Sequence, residues 1–235
     1  MSKTLTAEYV GSTRLARDVR EFLFRPVDPP LFHFRAGQYL TIEIPAEDDA
    51  PPLCRSYSIA SSPVATETFS IVANLVPTGR GSPFLFGLRP GTLITFGGPQ
   101  GDFVIDLRGD RDYLFVATGT GIAPLRAMMY ALFDAHIART IQLFWGLRNQ
   151  EEIYFQDEFA AWAARHPHFA YGVTLSRPGP GWHGATGYVT RLVEERVASV
   201  EGLDIYLCGH GAMIEAVKTV VRPKGLCPIH TEQYY

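Results

Sequence analysis

Five consecutive apolar residues, Tyr113-Leu114-Phe115-Val116-Ala117, run almost directly into Gly119-Thr120-Gly121-Ile122-Ala123-Pro124. A strand with one wet face alternates apolar and polar residues, whereas an unbroken apolar run suits a strand covered on both faces. Beyond the glycines, from about 122 to 136, Leu125, Met128, Met129 and Leu132 recur at helical spacing. Buried strand, glycine turn and helix, in that order, commit the region to a parallel sheet with helices on both sides. The same rhythm continues with strands over 141–145, 169–175 and 205–208 and helices over 151–165, 189–197 and 212–221. Residues 229–232 are expected to add a closing fifth strand.

Upstream of Gly109 the pattern changes. Tyr39-Leu40-Thr41-Ile42-Glu43-Ile44 places Leu40, Ile42 and Ile44 on one face, and segments 19–24, 69–73 and 93–96 read the same way less regularly. Pro29-Pro30, Pro51-Pro52 and Gly97-Gly98-Pro99 punctuate them, and the acidic segment 46–51 reads as an exposed loop. Many short strands with such turns predict a closed or nearly closed antiparallel β-barrel. The expected organisation is a two-domain chain, an antiparallel barrel over 1–108 and a parallel α/β domain over 109–235. A length of 235 residues accommodates both.

Composition narrows the function. A net charge of −3 gives no reason to expect nucleic acid. No stretch approaches the roughly 20 apolar residues of a membrane span, and Met1-Ser2-Lys3-Thr4-Leu5 has no apolar run, so no signal peptide is expected. The three cysteines, Cys54, Cys208 and Cys227, are scattered. They cannot supply the four thiolates of a [2Fe–2S] ferredoxin cluster, and none has zinc-ligand spacing. A reduced, cytoplasmic setting accounts for them most simply. His166 and His168 lack a third metal ligand, and Ser61-Ser62 with His183 forms no nucleophile elbow, so neither a metal site nor hydrolase chemistry is expected.

The chemistry-bearing residues begin with Cys54-Arg55-Ser56-Tyr57-Ser58-Ile59-Ala60. On a strand Arg55 and Tyr57 share a face, setting a fixed cation beside a flat ring, as a ligand with a phosphate and a planar heterocycle would require. Alone, this is also what an ordinary exposed strand looks like. Gly79-Arg80-Gly81-Ser82-Pro83 follows: the glycines permit close backbone approach, and Ser82 then Pro83 reads as an N-cap and first helical turn whose N–H groups attract an anion. Together with Arg55, Gly81 and Ser82 would neutralise a diphosphate, which favours FAD over FMN. Gly119 to Pro124 stands where a pyrophosphate meets a helix tip in a doubly wound sheet, although Pro124 takes the last glycine position of the dinucleotide fingerprint. Cys208-Gly209 ends an apolar strand, and the chain finishes on Glu232-Gln233-Tyr234-Tyr235.

This ordered succession resembles the ferredoxin–NADP reductase superfamily of flavoenzymes, from about residue 5 to 235. The resemblance implies FAD and a pyridine nucleotide. Arg55 would hold the FAD diphosphate, Tyr57 would pack on the flavin and Ser58 would hydrogen-bond near flavin N5. Thr120, Gly121 and Pro124 would line the NAD(P)H site, with Arg148 contacting the nucleotide and Cys208-Gly209 lying beside the nicotinamide. Ser176 and Arg177 would read the adenosine ribose; an arginine there suits a 2′-phosphate, so NADPH is favoured over NADH. Glu232 and Tyr234 match a terminal Glu and aromatic pair, so Tyr234 or Tyr235 would cover the flavin. The implied activity passes electrons from NAD(P)H through FAD to a one-electron carrier such as ferredoxin or flavodoxin. A flavin reductase, the reductase component of an oxygenase, and a non-catalytic flavin module that relays electrons within a larger complex remain open beside it.

Overall fold

The computed structural model describes residues 4–46 and 51–234, and the chain divides into two compact units. One comprises Met1–Ile105 with Arg126–Ala135; the other comprises Asp106–Leu125 with His136–Tyr235.

The first unit holds strands β1 (Thr4–Ala16), β2 (Val19–Asp28), β3 (Tyr39–Ile44), β4 (Leu53–Ser58) and β5 (Phe69–Asn74), a short helix α1 (Gly81–Gly87) and β6 (Leu93–Gln100). They form one antiparallel sheet in the order β4-β3-β6-β1-β2-β5. The two edges of that sheet meet just past β4, where Ile59 bridges Ile71 and the Ala60 N–H donates to the Ser70 carbonyl at 2.8 Å. The sheet therefore curls into the nearly closed barrel expected from its short punctuated strands. Leu40, Ile42 and Ile44 are 0–1% exposed, as their alternation requires. They pack in one core with Phe22, Phe24, Phe69 and Phe96, and Phe69 and Phe96 meet at 5.3 Å between ring centroids. Burial of each such ring contributes about 1.5–3 kcal/mol.

From β7 on the chain alternates strand and helix: β7 (Asp112–Thr118), α2 (Ile122–Asp134, which from Arg126 on is counted with the first unit), β8 (Ile141–Leu147), α3 (Gln156–Arg165), β9 (Phe169–Leu175), a two-residue β10 (Ala185–Thr186), α4 (Val189–Arg196), β11 (Leu203–His210), α5 (Gly211–Val221) and β12 (Ile229–Tyr234), and these strands form the sheet of the second unit. All its pairings are parallel, in the order β10-β9-β8-β7-β11-β12. Tyr113 to Ala117 are 0–1% exposed, as a strand covered on both faces must be. The strand order reverses direction between β7 and β11, which is the topological switch point of such a sheet.

Three boundaries differ from the sequence reading. The helix expected over 151–165 begins only at Gln156, because Phe155 adopts a left-handed backbone (φ 58°) after a 3-10 turn at Gln150–Glu152. The helix expected to reach His136 stops at Asp134, and His136 is itself left-handed (φ 54°). The last strand extends to Tyr234, held by six in-register pairs with β11. No helix among the described residues is long and apolar enough to cross a membrane.

Candidate functional site

In the first unit, Arg55 and Tyr57 lie on β4 two residues apart, and one observation ties both to the glycine segment 26 residues on. A Cβ added to Gly81 would stand 2.8 Å from Arg55 Cγ and 2.9 Å from Tyr57 Oη. Only a residue without a side chain allows this approach. The structure thus brings Arg55, Tyr57 and Gly81 into one constellation: an exposed guanidinium, a half-buried ring and a bare stretch of backbone. Burial pushes the Tyr57 phenol up to about 12 against the opposing pull of Arg55, so it stays a neutral donor. Arg55 Nη1 donates to its neighbour's carbonyl, Cys54 O, at 2.9 Å. A charged fork beside a flat ring and a glycine backbone fits a diphosphate carried on a planar heterocycle. Ser58, one residue on, takes the opposite strand face and is 5% exposed.

Ser82 is corrected by the structure. It is not the N-cap of α1: the helix starts at Gly81, Arg80 holds the cap position, and no side chain caps it. The Ser82 hydroxyl instead accepts from the Val76 N–H at 2.8 Å and closes the turn that precedes the helix. The compactness of Gly81 lets the helix begin one residue before the serine. Pro83 still falls in the first turn, where its missing N–H would have had no helical partner.

In the second unit the sequence-predicted residues gather at the carboxyl ends of the parallel strands. At the switch point Gly121 packs against the backbone of Cys208 and Gly209, so that any Cβ on Gly121 would collide with the Cys208 carbonyl. Gly209 (φ 139°) lies against Thr118, whose hydroxyl oxygen accepts from the His210 N–H at 3.1 Å. Thr120 is half-buried in the same 3-10 turn, and Pro124 is buried in the first turn of α2. His210 caps α5, its Nδ1 accepting from the Ala212 N–H at 3.2 Å.

Two residues that the sequence reading missed fix this turn. The Gly119 carbonyl accepts from Trp145 Nε1 at 3.0 Å and from Tyr154 Oη at 3.3 Å. Both aromatics are buried, and burial drives the Tyr154 phenol far above its usual range, with Glu152 adding to the shift. A buried indole or phenol needs a partner for its polar hydrogen, and that need was the available signal.

Parallel register places Cys208 opposite Glu232 and His210 opposite Tyr234 on β12. Glu232 and Tyr234 are both partly buried, while the intervening Gln233 is exposed, so alternation sets them on one face. Cys208 is 0% exposed. Burial first, and then the Glu232 carboxylate, hold its thiol well above the usual range, while a side-chain hydrogen bond with Tyr234 pulls the other way. The sulfur is held as the protonated thiol, not as a nucleophilic thiolate. Tyr235 lies outside the described residues.

Arg148 follows β8, and Ser176 with Arg177 follows β9. The strands continue to pair past their ends: the Ser176 N–H donates to Leu147 O at 3.0 Å and the Arg177 N–H to Arg148 O at 2.7 Å. Arg148 and Arg177 are both exposed. The structure therefore assembles two constellations, one of Arg55, Tyr57 and Gly81 and one spread along the strand ends of the second unit. Among the described residues no three His, Cys, Asp or Glu side chains group as a metal site.

Comparison with known proteins agrees with this geometry. Residues 7–105 match the oxidoreductase FAD-binding domain family, and residues 115–219 match the oxidoreductase NAD-binding domain family. A ferredoxin–NADP reductase B of Sorangium cellulosum is 35% identical over 97% of this chain and 96% of its own length. The glycine betaine monooxygenase reductase subunit of Chromohalobacter salexigens is 34% identical over 91% of this chain, which spans only 59% of that protein. The crystal structure of an Amycolatopsis cytochrome P450 reductase superposes with a TM-score of 0.85 at 26% identity, covering 99% of this chain and 70% of that one.

Proposed function

The chain belongs to the ferredoxin–NADP reductase superfamily of FAD- and NAD(P)-binding oxidoreductases, and from that premise we propose that it passes electrons from NADPH to a ferredoxin-type one-electron carrier. FAD, when bound, supplies the chemistry that side chains lack: it takes a hydride from the nicotinamide and gives electrons up singly.

The chain's own residues bind and orient. Arg55 and the Gly81 backbone would hold the diphosphate, and Tyr57, a neutral phenol, would pack on the flavin. Ser58 supplies a hydrogen bond near flavin N5, a role resting on the family resemblance alone. Thr120 and Gly121 offer backbone to the nucleotide where β7 meets α2. By the family resemblance the Cys208-Gly209 segment would lie beside the nicotinamide, with the buried Cys208 thiol kept neutral. Glu232 and Tyr234 would stand by that segment, and by the same resemblance Tyr234 or Tyr235 would cover the flavin. Arg148 and Ser176 contact the nucleotide, and Arg177 binds the 2′-phosphate that distinguishes NADPH from NADH. The free thiols Cys54, Cys208 and Cys227 suit a reducing cytoplasm.

The observation that carries the choice of acceptor is the match to the Sorangium reductase across 96% of its length. A second reading, the reductase component of an oxygenase system, draws on the several relatives with such names, of which the chain spans 56–65% in the examples from Chromohalobacter, Pseudomonas and Ralstonia. Anaerobic mixing with NADPH or NADH tests the common core: the yellow band of the FAD-loaded protein bleaches if the reading holds and stays unchanged with both nucleotides if it does not. Adding a [2Fe–2S] ferredoxin, a Rieske-type oxygenase ferredoxin, flavodoxin or free FMN to the reduced protein then separates the acceptors. Fast oxidation by free FMN alone would make the chain a flavin reductase.

A further inference from the structure

The segment after β9, Pro178-Gly179-Pro180-Gly181, is poor in backbone donors, because proline has no N–H. Between Arg177 and Gly181 the only N–H is that of Gly179. It donates to Gln150 Oε1 at 2.8 Å, and the same side chain returns the bond, its Nε2 donating to the Gly179 carbonyl at 3.3 Å. One amide side chain thus holds one residue by both its backbone N–H and its C=O, as a neighbouring strand would.

The grip is itself supported. Gln150 opens the 3-10 turn Gln150–Glu152, and the Glu152 carboxylate accepts from the Arg148 N–H at 3.2 Å and from Asn149 Nδ2 at 3.3 Å. Arg177 therefore stands between two anchors: its own N–H on the Arg148 carbonyl, and the Gln150 grip two residues later. Release of the second anchor would free a loop with two glycines, one of them left-handed (Gly181, φ 83°), directly beside the exposed guanidinium.

We propose that Gln150 is a positioning residue for dinucleotide selection: by holding Gly179 it aims Arg177, and so sets how strongly the enzyme prefers a 2′-phosphorylated nicotinamide dinucleotide to its unphosphorylated form. This rests on the assignment of the 2′-phosphate to Arg177 made above. Gln150 acts through Arg177, by way of its two hydrogen bonds to Gly179.

The test is a double-mutant cycle on the FAD-loaded enzyme, with ferricyanide as acceptor and both nucleotides as donors. Gln150→Ala is expected to raise the KM for NADPH about tenfold, leaving kcat unchanged and the NADH parameters within about twofold. In an Arg177→Ala background the same change is expected to have almost no further effect on NADPH, because the group it positions is gone. Parallel losses with NADPH and NADH, or an undiminished effect in the Arg177→Ala background, would overturn the role of Gln150. A different result identifies failure of the underlying assignment: if Arg177→Ala alone leaves the NADPH to NADH ratio unchanged, the 2′-phosphate is not read there and the inference falls with it.

Discussion

Cys208 and Glu232 face each other in register on adjacent parallel strands, and the thiol is completely buried beside the carboxylate. Desolvation and a nearby negative charge both disfavour the thiolate, so the sulfur is kept protonated and unreactive. A thiol-specific reagent should label the exposed Cys54 promptly, whereas Cys208 should react only after denaturation. Mass spectrometry of the labelled native protein checks both halves; rapid modification of Cys208 would contradict the burial.

The same shift has a pH consequence of definite sign. The folded thiol titrates above its unfolded value, so its contribution to stability is complete below the usual 9.0 and is lost as pH rises from there toward the folded value. Urea midpoints of the wild type should fall between pH 8 and 10 more steeply than those of Cys208→Ala. Equal slopes would remove the thiol from the account.

Gly81 is the position where a single methyl group should matter most. Gly81→Ala places a carbon 2.8 Å from Arg55 Cγ and 2.9 Å from Tyr57 Oη, and overpacking of this kind costs about 1–3 kcal/mol. The fold survives such a loss, but the two side chains proposed to hold the FAD must move apart. A FAD Kd raised about tenfold, measured by flavin fluorescence, is the expected outcome. Arg55→Ala should weaken FAD at least as much, and Arg55→Lys should recover part of it, a point charge replacing a fork.

The Gly119 carbonyl accepts from the Ile122 backbone N–H as well as from Trp145 and Tyr154, so removal of one side-chain donor leaves it satisfied. Tyr154→Phe should cost under about 1 kcal/mol. Combined with Trp145→Phe, the loss should stay close to the sum of the separate losses, because the Ile122 N–H still satisfies the carbonyl while the turn loses both side-chain anchors. KM for NADPH and NADH should rise together in the double variant. Thermal melts and steady-state kinetics of the three proteins decide this.

Replacement of Tyr234 by Ser together with removal of Tyr235 tests the covering aromatic. The expected result is a shifted flavin absorbance band and a change in the NADH to NADPH ratio. An unchanged spectrum and an unchanged ratio would dismiss the cover.

Features set by local periodicity were legible in the residues alone. The two-residue spacing of Arg55 and Tyr57 and the apolar run from Tyr113 to Ala117 both depend on strand geometry, which any short segment declares. What escaped depends on partners distant in the chain. Ser82 read as a helix cap, yet the start of α1 follows from how closely Gly81 packs on β4. Phe155 gave no sign of a left-handed backbone, which is rare for a large side chain. Trp145 and Tyr154 reach Gly119 across 26 and 35 residues, and Gln150 reaches Gly179 across 29. No spacing rule covers such separations.

With its oxygen tied down by an indole and a phenol, the peptide that follows Gly119 has no rotation left to surrender when a dinucleotide arrives. The entropy of shaping that turn was given up when the domain folded, so capture should be limited by collision and orientation rather than by loop closure. Association rates for NADPH should accordingly stay linear in concentration, with no plateau from a preceding rearrangement.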